Sequence, residues 1–452
     1  MRKRTFVAVL ALVSALALVA AACGGDEEEP TETGGDTGAA TGTGGAVDCD
    51  TDEFGCIEVA AGEPLLLGGI LTISADTAFL GTDAQHGVEM ALDYRDGAFD
   101  GVNGQVLGHD VELQVEDETG TGGVCSADGG QAAATAIAAV PNVVGVIGTS
   151  CSSAALGVAD ATLSEAGILL ISPSNTNPGL TSEEAHEDFY LRTAHNDKIQ
   201  GAIVAEYVFN ELGLTTAATI NDESPYADGL AAAFRDNFEA LGGTITAVEQ
   251  VQSTDTELGG TLTAVAETEP EAVYGPNFPP VCGLTLLQGA DVFPPDTVFL
   301  GSDGCLESSF IEQVGDTAGT YYASSPDTTA FQGGEFYANE YAPAFEAAFG
   351  EQTSVFNAHA FDATNILLDA IEAVAVDDGS GNLTISRTAL KDAVYATNGY
   401  EGVTGIITCT PLGDCATDVT IGIFQYPNWP VEGGTDPTDP VYSDTKTLAD
   451  VA

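Results

Sequence analysis

The sequence predicts an α/β protein built as two lobes around parallel sheets. Three observations carry that expectation. The chain has 452 residues, 44% of them hydrophobic, enough for a large core and more than one lobe. Short apolar, β-branched runs alternate with segments of helical periodicity, the pattern of buried parallel strands joined by helices. That rhythm runs twice, over residues 64–193 and 194–325, before further helices follow. Repeated strand–helix units imply parallel sheets with right-handed crossovers.

The first run opens with a strand at Leu65 to Ser74 and a loop at Ala75 to Gly81. Thr82 or Asp83 is the expected cap of the next helix, which places Val88, Ala91, Leu92 and Phe99 near one face. Asn103-Gly104 marks a turn, and Val111, Leu113 and Val115 alternate as a strand. Gln131 to Val140 is an Ala-rich helix stopped by Pro141. Val143 to Ile147 and Gly167 to Ile171 are two buried strands joined by a helix. They end in Gly148-Thr149-Ser150-Cys151-Ser152-Ser153 and in Ser172-Pro173-Ser174-Asn175-Thr176-Asn177. Ligands bind at the carboxyl ends of strands in open α/β sheets, so these hydroxyl-rich ends form half of a small-molecule site.

The second run repeats the scheme. Ile199, Ile203, Tyr207 and Leu212 have helical spacing, and Ala217 to Ile220 is a strand running into Asn221-Asp222-Glu223-Ser224-Pro225-Tyr226. Gly229 to Leu241 is a helix stopped by Gly242-Gly243. Strands follow at Ile245 to Val251, Ala272 to Tyr274 and Val298 to Gly301, the last two leading into Gly275-Pro276-Asn277-Phe278 and Ser302-Asp303-Gly304-Cys305. Glu335 to Phe349 and Ala358 to Val376 are helical, Ile406–Thr408 and Val419–Phe424 are strands, and the tail beyond Trp429 is polar and expected to be loose.

Residues 1–22 have the make-up of a signal peptide: Arg2-Lys3-Arg4, an apolar run from Phe6 to Ala22, then Cys23 after Val19-Ala20-Ala21-Ala22, similar to a bacterial lipobox. The run sits at the short limit for spanning a bilayer, so lipidation at Cys23 is expected over an uncleaved anchor. Residues 23–62 are expected to be a flexible acidic, Gly- and Thr-rich tether. Beyond Cys23 an even set of cysteines remains in an exported chain, so disulfides are the default. Sequence order suggests Cys49–Cys56, Cys125–Cys151, Cys282–Cys305 and Cys409–Cys415, one of about 105 possible pairings. A bridge closing the 125–151 loop contributes roughly 3–4 kcal/mol on the chain-entropy model.

Lys and Arg total 10 against 69 Asp and Glu, a net charge of -59. That balance excludes a nucleic-acid partner and charge-driven attachment to an anionic membrane surface. None of the five histidines stands in a metal-binding spacing, and no G-x-S-x-G elbow is present, so neither enzyme activity, a metal nor a cofactor is expected.

Several segments together carry a family resemblance: G-T-S-C-S-S at 148–153, E-A-G-I-L-L-I-S-P-S-N-T-N-P-G-L-T at 165–181, Asn221-Asp222 with Tyr226 and Gly229, Val273-Tyr274-Gly275, and Phe299-Leu300-Gly301-Ser302-Asp303-Gly304. The chain resembles the extracellular solute-binding proteins of branched-chain amino-acid ABC transporters, of periplasmic-binding-protein type I, from about Pro64 to Trp429. The resemblance implies two doubly wound parallel-sheet lobes joined by a three-strand hinge, with the ligand in the interlobe cleft. Lobe 1 is expected over 64–193 and 326–403, and lobe 2 over 194–325 and 404–430. It implies that Ser152, Ser174, Asn175 and Thr176 hold the ligand carboxylate, that Tyr226 and Asp303 face its amino group, and that Phe278 packs beside it. The family acid is commonly Glu, one methylene longer than Asp303, and Phe79 or Leu80 stands where a first-lobe aromatic is common. A monomer is implied, anchored by lipid to the outer face of the cytoplasmic membrane and delivering an aliphatic amino acid to permease subunits. A receptor of the same fold for amides, urea or another small solute, or a ligand-sensing module, is the alternative. Small hydroxyls and N–H groups at helix starts suit a carboxylate, and Asp303 suits an ammonium, independently of the family.

An acidic surplus of this size resembles that of proteins kept soluble in high salt, although lineage composition bias produces it too. If salt adaptation is the cause, the melting temperature rises from low to molar NaCl; a fall on adding salt contradicts it.

Overall fold

The computed structural model describes residues 49–306, 310, 314–315, 321–331, 334–425 and 440–451, all within one compact unit. The expected signal peptide, Cys23 and most of the tether lie outside the described residues. Among the described residues no helix is long and apolar enough to cross a membrane.

Among the described residues, strands β1 to β17 follow in chain order: Cys56–Val59, Leu65–Leu71, Val111–Asp117, Val143–Gly148, Leu170–Ser172, Tyr190–Arg192, Thr216–Asp222, Thr244–Val251, Ala272–Tyr274, Val298–Ser302, Tyr321–Pro326, Val376–Asp377, Leu383–Ser386, Tyr400–Gly402, Gly405–Ile407, Val419–Gln425 and Tyr442–Lys446. The first lobe centres on a parallel sheet ordered β3-β2-β4-β5-β6. Its strands β2, β4 and β5 are apolar along nearly their whole length because helices cover both faces, whereas the edge strand β3 alternates apolar and polar residues. Helices Ala78–Asp93 and Phe356–Val374 pack on one face through Ala84, Val88, Ala363 and Leu367. Helices Ala127–Ala138 and Asp160–Glu165 cover the other through Ala134, Ile137 and Leu163. The second lobe has the order β17-β16-β11-β10-β9-β7-β8. Helices Asp197–Glu206 and Pro225–Ala240 pack on one face, and Gly259–Ala266 and Val281–Gly289 on the other. The α/β, doubly wound, two-lobed expectation holds.

Four details differ from the sequence reading. The first helix starts at Ala78, so neither Thr82 nor Asp83 caps it. Asp83 is buried and accepts from the N–H groups of Thr353 and Ser354, both 3.1 Å away, and from Asn357 Nδ2 at 2.7 Å. Long-range pairing thus overrides the local capping signal. The end of the expected tether is β1, held by the Cys49–Cys56 disulfide and paired antiparallel with β13. Ile57 fills the lobe core, and this apolar contact fixes a segment whose composition reads as loose. The tail is not wholly loose either: β17 pairs with β16, and Lys446 bridges Glu206 and Asp444 at 3.0 and 3.1 Å. The second sheet is mixed, because β16 and β17 run antiparallel to the strands beside them. Trp429 lies outside the described residues.

Among the described residues the chain passes between the sheets at 192–197, at 326–331 and at 407–419. These passages lie side by side: Arg192 N donates to Gly413 O at 2.9 Å, Cys415 N to Arg192 O at 3.1 Å, and Asp327 N to Thr420 O at 3.0 Å. Arg192 is fully buried there, with Nε 2.7 Å from Asp414 Oδ1. Its Nη1 donates to the carbonyls of Asn175 at 3.2 Å and Asn177 at 2.8 Å, and Nη2 to Thr181 Oγ1 at 2.7 Å. The disulfide Cys409–Cys415 closes the turn that carries Asp414.

Removing one partner of a buried pair leaves a charge without compensation, which costs about 3–5 kcal/mol. Arg192→Met is expected to lower the urea-unfolding free energy by that amount, and Asp414→Leu on the same background to recover part of it. A loss below about 1 kcal/mol contradicts the role given to this pair.

Candidate ligand-binding site

The polar ends of β4 and β5 are stitched into one wall. Ser174 Oγ donates to Ser150 O at 2.8 Å, Ser172 Oγ to Thr149 O at 2.7 Å, and Thr149 Oγ1 to Asn175 Oδ1 at 2.8 Å. Underneath lies Glu118, fully buried, whose carboxylate accepts from Ser150 N at 3.0 Å and Cys151 N at 2.8 Å. Burial pushes its pKa up to about 8, opposed by those two bonds. The Cys125–Cys151 disulfide ties the same loop to the segment before it. All four cysteine pairs follow the sequence order. Glu118 and the sulfurs of Cys125 and Cys151 are close enough to suggest a metal, but the disulfide consumes the thiolates a metal would need.

Facing this wall are residues of the second lobe. Asp303 follows β10, and its Oδ1 accepts from Gln200 Nε2 at 2.8 Å and Tyr226 OH at 3.2 Å. The Tyr226 hydroxyl also lies 2.7 Å from Ser302 Oγ. The Phe278 ring sits 5.0 Å from that of Tyr226. A side chain at Gly304 would meet Asn277 O at 2.8 Å and the Phe278 ring at 3.1 Å, so the turn after β10 needs glycine for close approach.

Ser152, Ser174, Tyr226, Phe278 and Asp303 therefore line one cleft, together with Ser150, Leu80, Phe79 and Phe356. Asn175 does not line it: its side chain turns into the fold and accepts from Tyr190 OH at 3.2 Å as well as from Thr149. Thr176 is buried behind the wall, and its carbonyl accepts from Asp197 N at 3.0 Å. Two lobe contacts show the cleft nearly shut. Asn177 Nδ2 donates to Pro225 O at 2.5 Å, and a side chain at Gly229 would strike Asn177 at 2.6 Å. The space enclosed on either side of Asp303 is only about 10 Å³. A leucine-sized molecule enters only when the lobes part.

Sequence reasoning missed Asp197, Gln200 and Glu118. Asp197 is fully buried, and burial followed by the nearby charge of Asp303 raises its pKa well above the usual range, opposed by the Thr176 hydroxyl and the charge of Arg192. Asp303 itself is raised to about 6, chiefly by burial. A buried pair of acids whose charge Arg192 offsets only in part favours a positively charged guest. Asp197 reads in the sequence as an ordinary acid in the first turn of a helix capped by Asn196, which hides it. Glu118 carries no local signal, because its partners are 32 and 33 residues away in sequence.

Residues 64–418 match the family model described as periplasmic binding protein. The Leu/Ile/Val-binding protein BraC3 of Rhizobium johnstonii is 26% identical over 335 residues, covering 73% of this chain and 83% of that protein. Leu/Ile/Val-binding protein homolog 3 of Brucella melitensis is 25% identical over 380 residues, covering 83% and 94%. In fold, the chain is similar to the leucine binding protein LivK of Thermotoga maritima (TM-score 0.69, 22% identity, 86% of this chain and 100% of that one). It is equally similar to LivJ of Streptococcus pneumoniae solved with isoleucine (TM-score 0.69, 23% identity, 85% and 100%). With the two-lobed fold and the cleft between its sheets, these matches place the chain in the periplasmic binding protein family, whose members bind solutes and are not enzymes.

Proposed function

We infer that the protein is the substrate-binding component of an ABC importer and takes a small aliphatic amino acid, of branched-chain type, between its lobes. The observation that carries this reading is the pairing across the cleft: Ser152 and Ser174 on one wall, Asp303 with Tyr226 on the other. Hydroxyls and a helix start suit a carboxylate, a buried acid suits an ammonium, and Phe79, Leu80, Phe278 and Phe356 offer apolar surface to an aliphatic side chain. In this reading Asn175 and Thr176 support the carboxylate wall from behind, and Asp197 sits behind the ammonium position. A zwitterion that touches both walls favours the closed form by its contacts to each, so closure by hinge motion follows from binding. Lipidation at Cys23, a monomeric state, a place on the outer face of the cytoplasmic membrane and delivery to permease subunits complete the proposal; the relatives named for leucine, isoleucine and valine support its substrate part.

A thermal-shift panel of amino acids and short amides tests the ligand. A ligand at 100 times its Kd stabilises the fold by about 2.7 kcal/mol, so leucine, isoleucine or valine is expected to raise the melting temperature by several degrees. A response to amides or urea alone removes the amino acid while leaving the fold. The pH dependence follows from Asp303, whose carboxyl, raised to about 6 by burial, is neutral below that value and cannot pair with an ammonium. Affinity is therefore expected to rise as pH increases through about 6, and Asp303→Ala to weaken binding by at least about 30-fold and flatten the profile. Calorimetry that finds the same affinity at pH 5 and pH 7.5 contradicts the assignment.

A further inference from the structure

Gln200, on the helix Asp197–Glu206, is fully buried behind Asp303. Its Nε2 donates to Asp303 Oδ1 at 2.8 Å and to the Ser324 carbonyl and hydroxyl at 3.2 and 2.9 Å. Its Oε1 lies 2.6 Å from Nε2 of His195, which is also buried. An ionised carboxylate and a carbonyl only accept, so the amide NH₂ faces Asp303 and Ser324 and the amide oxygen faces His195. His195 Nε2 therefore carries its proton and donates. Burial lowers the His195 pKa to about 4, so the ring is neutral near pH 7.

Both ends of the Gln200 amide are thus clamped. His195 belongs to the first passage between the lobes, and Ser324 to β11, which runs into the second. The Tyr226 hydroxyl donates to the same Asp303 oxygen at 3.2 Å. These donors orient the carboxylate without bringing it a countercharge. The other titratable groups acting around Asp303 are Asp197, whose charge Arg192 offsets in part, and Tyr226 and Tyr274, whose hydroxyls burial keeps neutral. The hydrogen bond from Gln200 opposes the effect of burial on Asp303 and so favours its ionised form.

We propose that Gln200 is the positioning residue of the ammonium side of the cleft: clamped by His195 and Ser324, it fixes Asp303 through a neutral hydrogen bond and leaves the charge of that acid to a cationic guest. The inference rests on the amino-acid reading given above. Gln200 acts through Asp303, which lines the cleft, rather than on the guest itself.

Gln200→Met removes the donor and keeps the length of the side chain, while Gln200→Glu keeps its shape with an acid in place of the amide. Each is expected to weaken leucine binding at pH 7.5 at least about tenfold and to move the pH midpoint of binding upward, because Asp303 loses a donor that favours its ionised form. In the Asp303→Ala background the same substitutions are expected to change leucine affinity less than about threefold, since an effect passed through Asp303 vanishes with it. A merely structural role lowers affinity equally in both backgrounds, and that result overturns the proposal, as does unchanged affinity in both single variants. A second readout needs no ligand. The ¹³C NMR signal of the Asp303 carboxyl, assigned by its absence in Asp303→Asn, is expected to titrate near 6 in the unsubstituted protein and at higher pH in Gln200→Met. Equal midpoints overturn the proposal. If the unsubstituted protein binds no amino acid, the proposed function fails, while the carboxyl titration still decides the role of Gln200.

Discussion

The buried guanidinium of Arg192 is the interaction on which the two-lobed arrangement depends. The first passage between the sheets carries it, the third neutralises it through Asp414, and the ligand wall at 174–177 is held by its Nη1. A chain with a net charge of -59 has few cations, and beyond Arg4 only seven remain. Several of them are placed at structural joints. Arg95 bridges Asp369 and Glu372 at 2.7 and 3.0 Å, Arg387 donates to the carbonyls of Val143 and Gly167, and Lys446 secures the last strand. The acid surplus lies mostly on the surface, where water and counterions screen it, while the buried cation is matched to a specific acid and three further acceptors.

The cleft uses the opposite electrostatic arrangement. Asp303 and Asp197 are buried near each other, and burial raises both pKa values, opposed at Asp197 by the charge of Arg192. Such a site is poor at holding its own charge and correspondingly responsive to a guest that brings a positive one. The opposite wall is rigid: Glu118, the Cys125–Cys151 disulfide and the Thr149–Asn175 bond fix it before a ligand arrives. In the proposed function one wall receives a carboxylate and the other an ammonium, so binding depends on a molecule that spans both.

The architecture was legible in the sequence because parallel strands buried on both faces leave uninterrupted β-branched runs, as at Val143 to Ile147, and hydroxyl-rich ends that mark the cleft. The disulfides followed sequence order. The limits were physical. Asp83 reads as a cap by its position, yet a partner 270 residues away determines its role. The strand β17 follows a polar stretch and is fixed by pairing rather than by its own pattern. Asn175 and Asp197 show the same limit at the site: side-chain direction and burial decide whether a polar residue faces a ligand, and neither is written in local spacing.

The central claim is that a zwitterion joins the two walls. Isothermal titration of leucine, leucinamide and 4-methylpentanoate at pH 7.5 tests it most directly, because the second lacks the carboxylate and the third the ammonium. The account predicts that leucine binds and that each singly charged analogue binds at least about 30-fold more weakly. Comparable affinity for leucine and either analogue would contradict it.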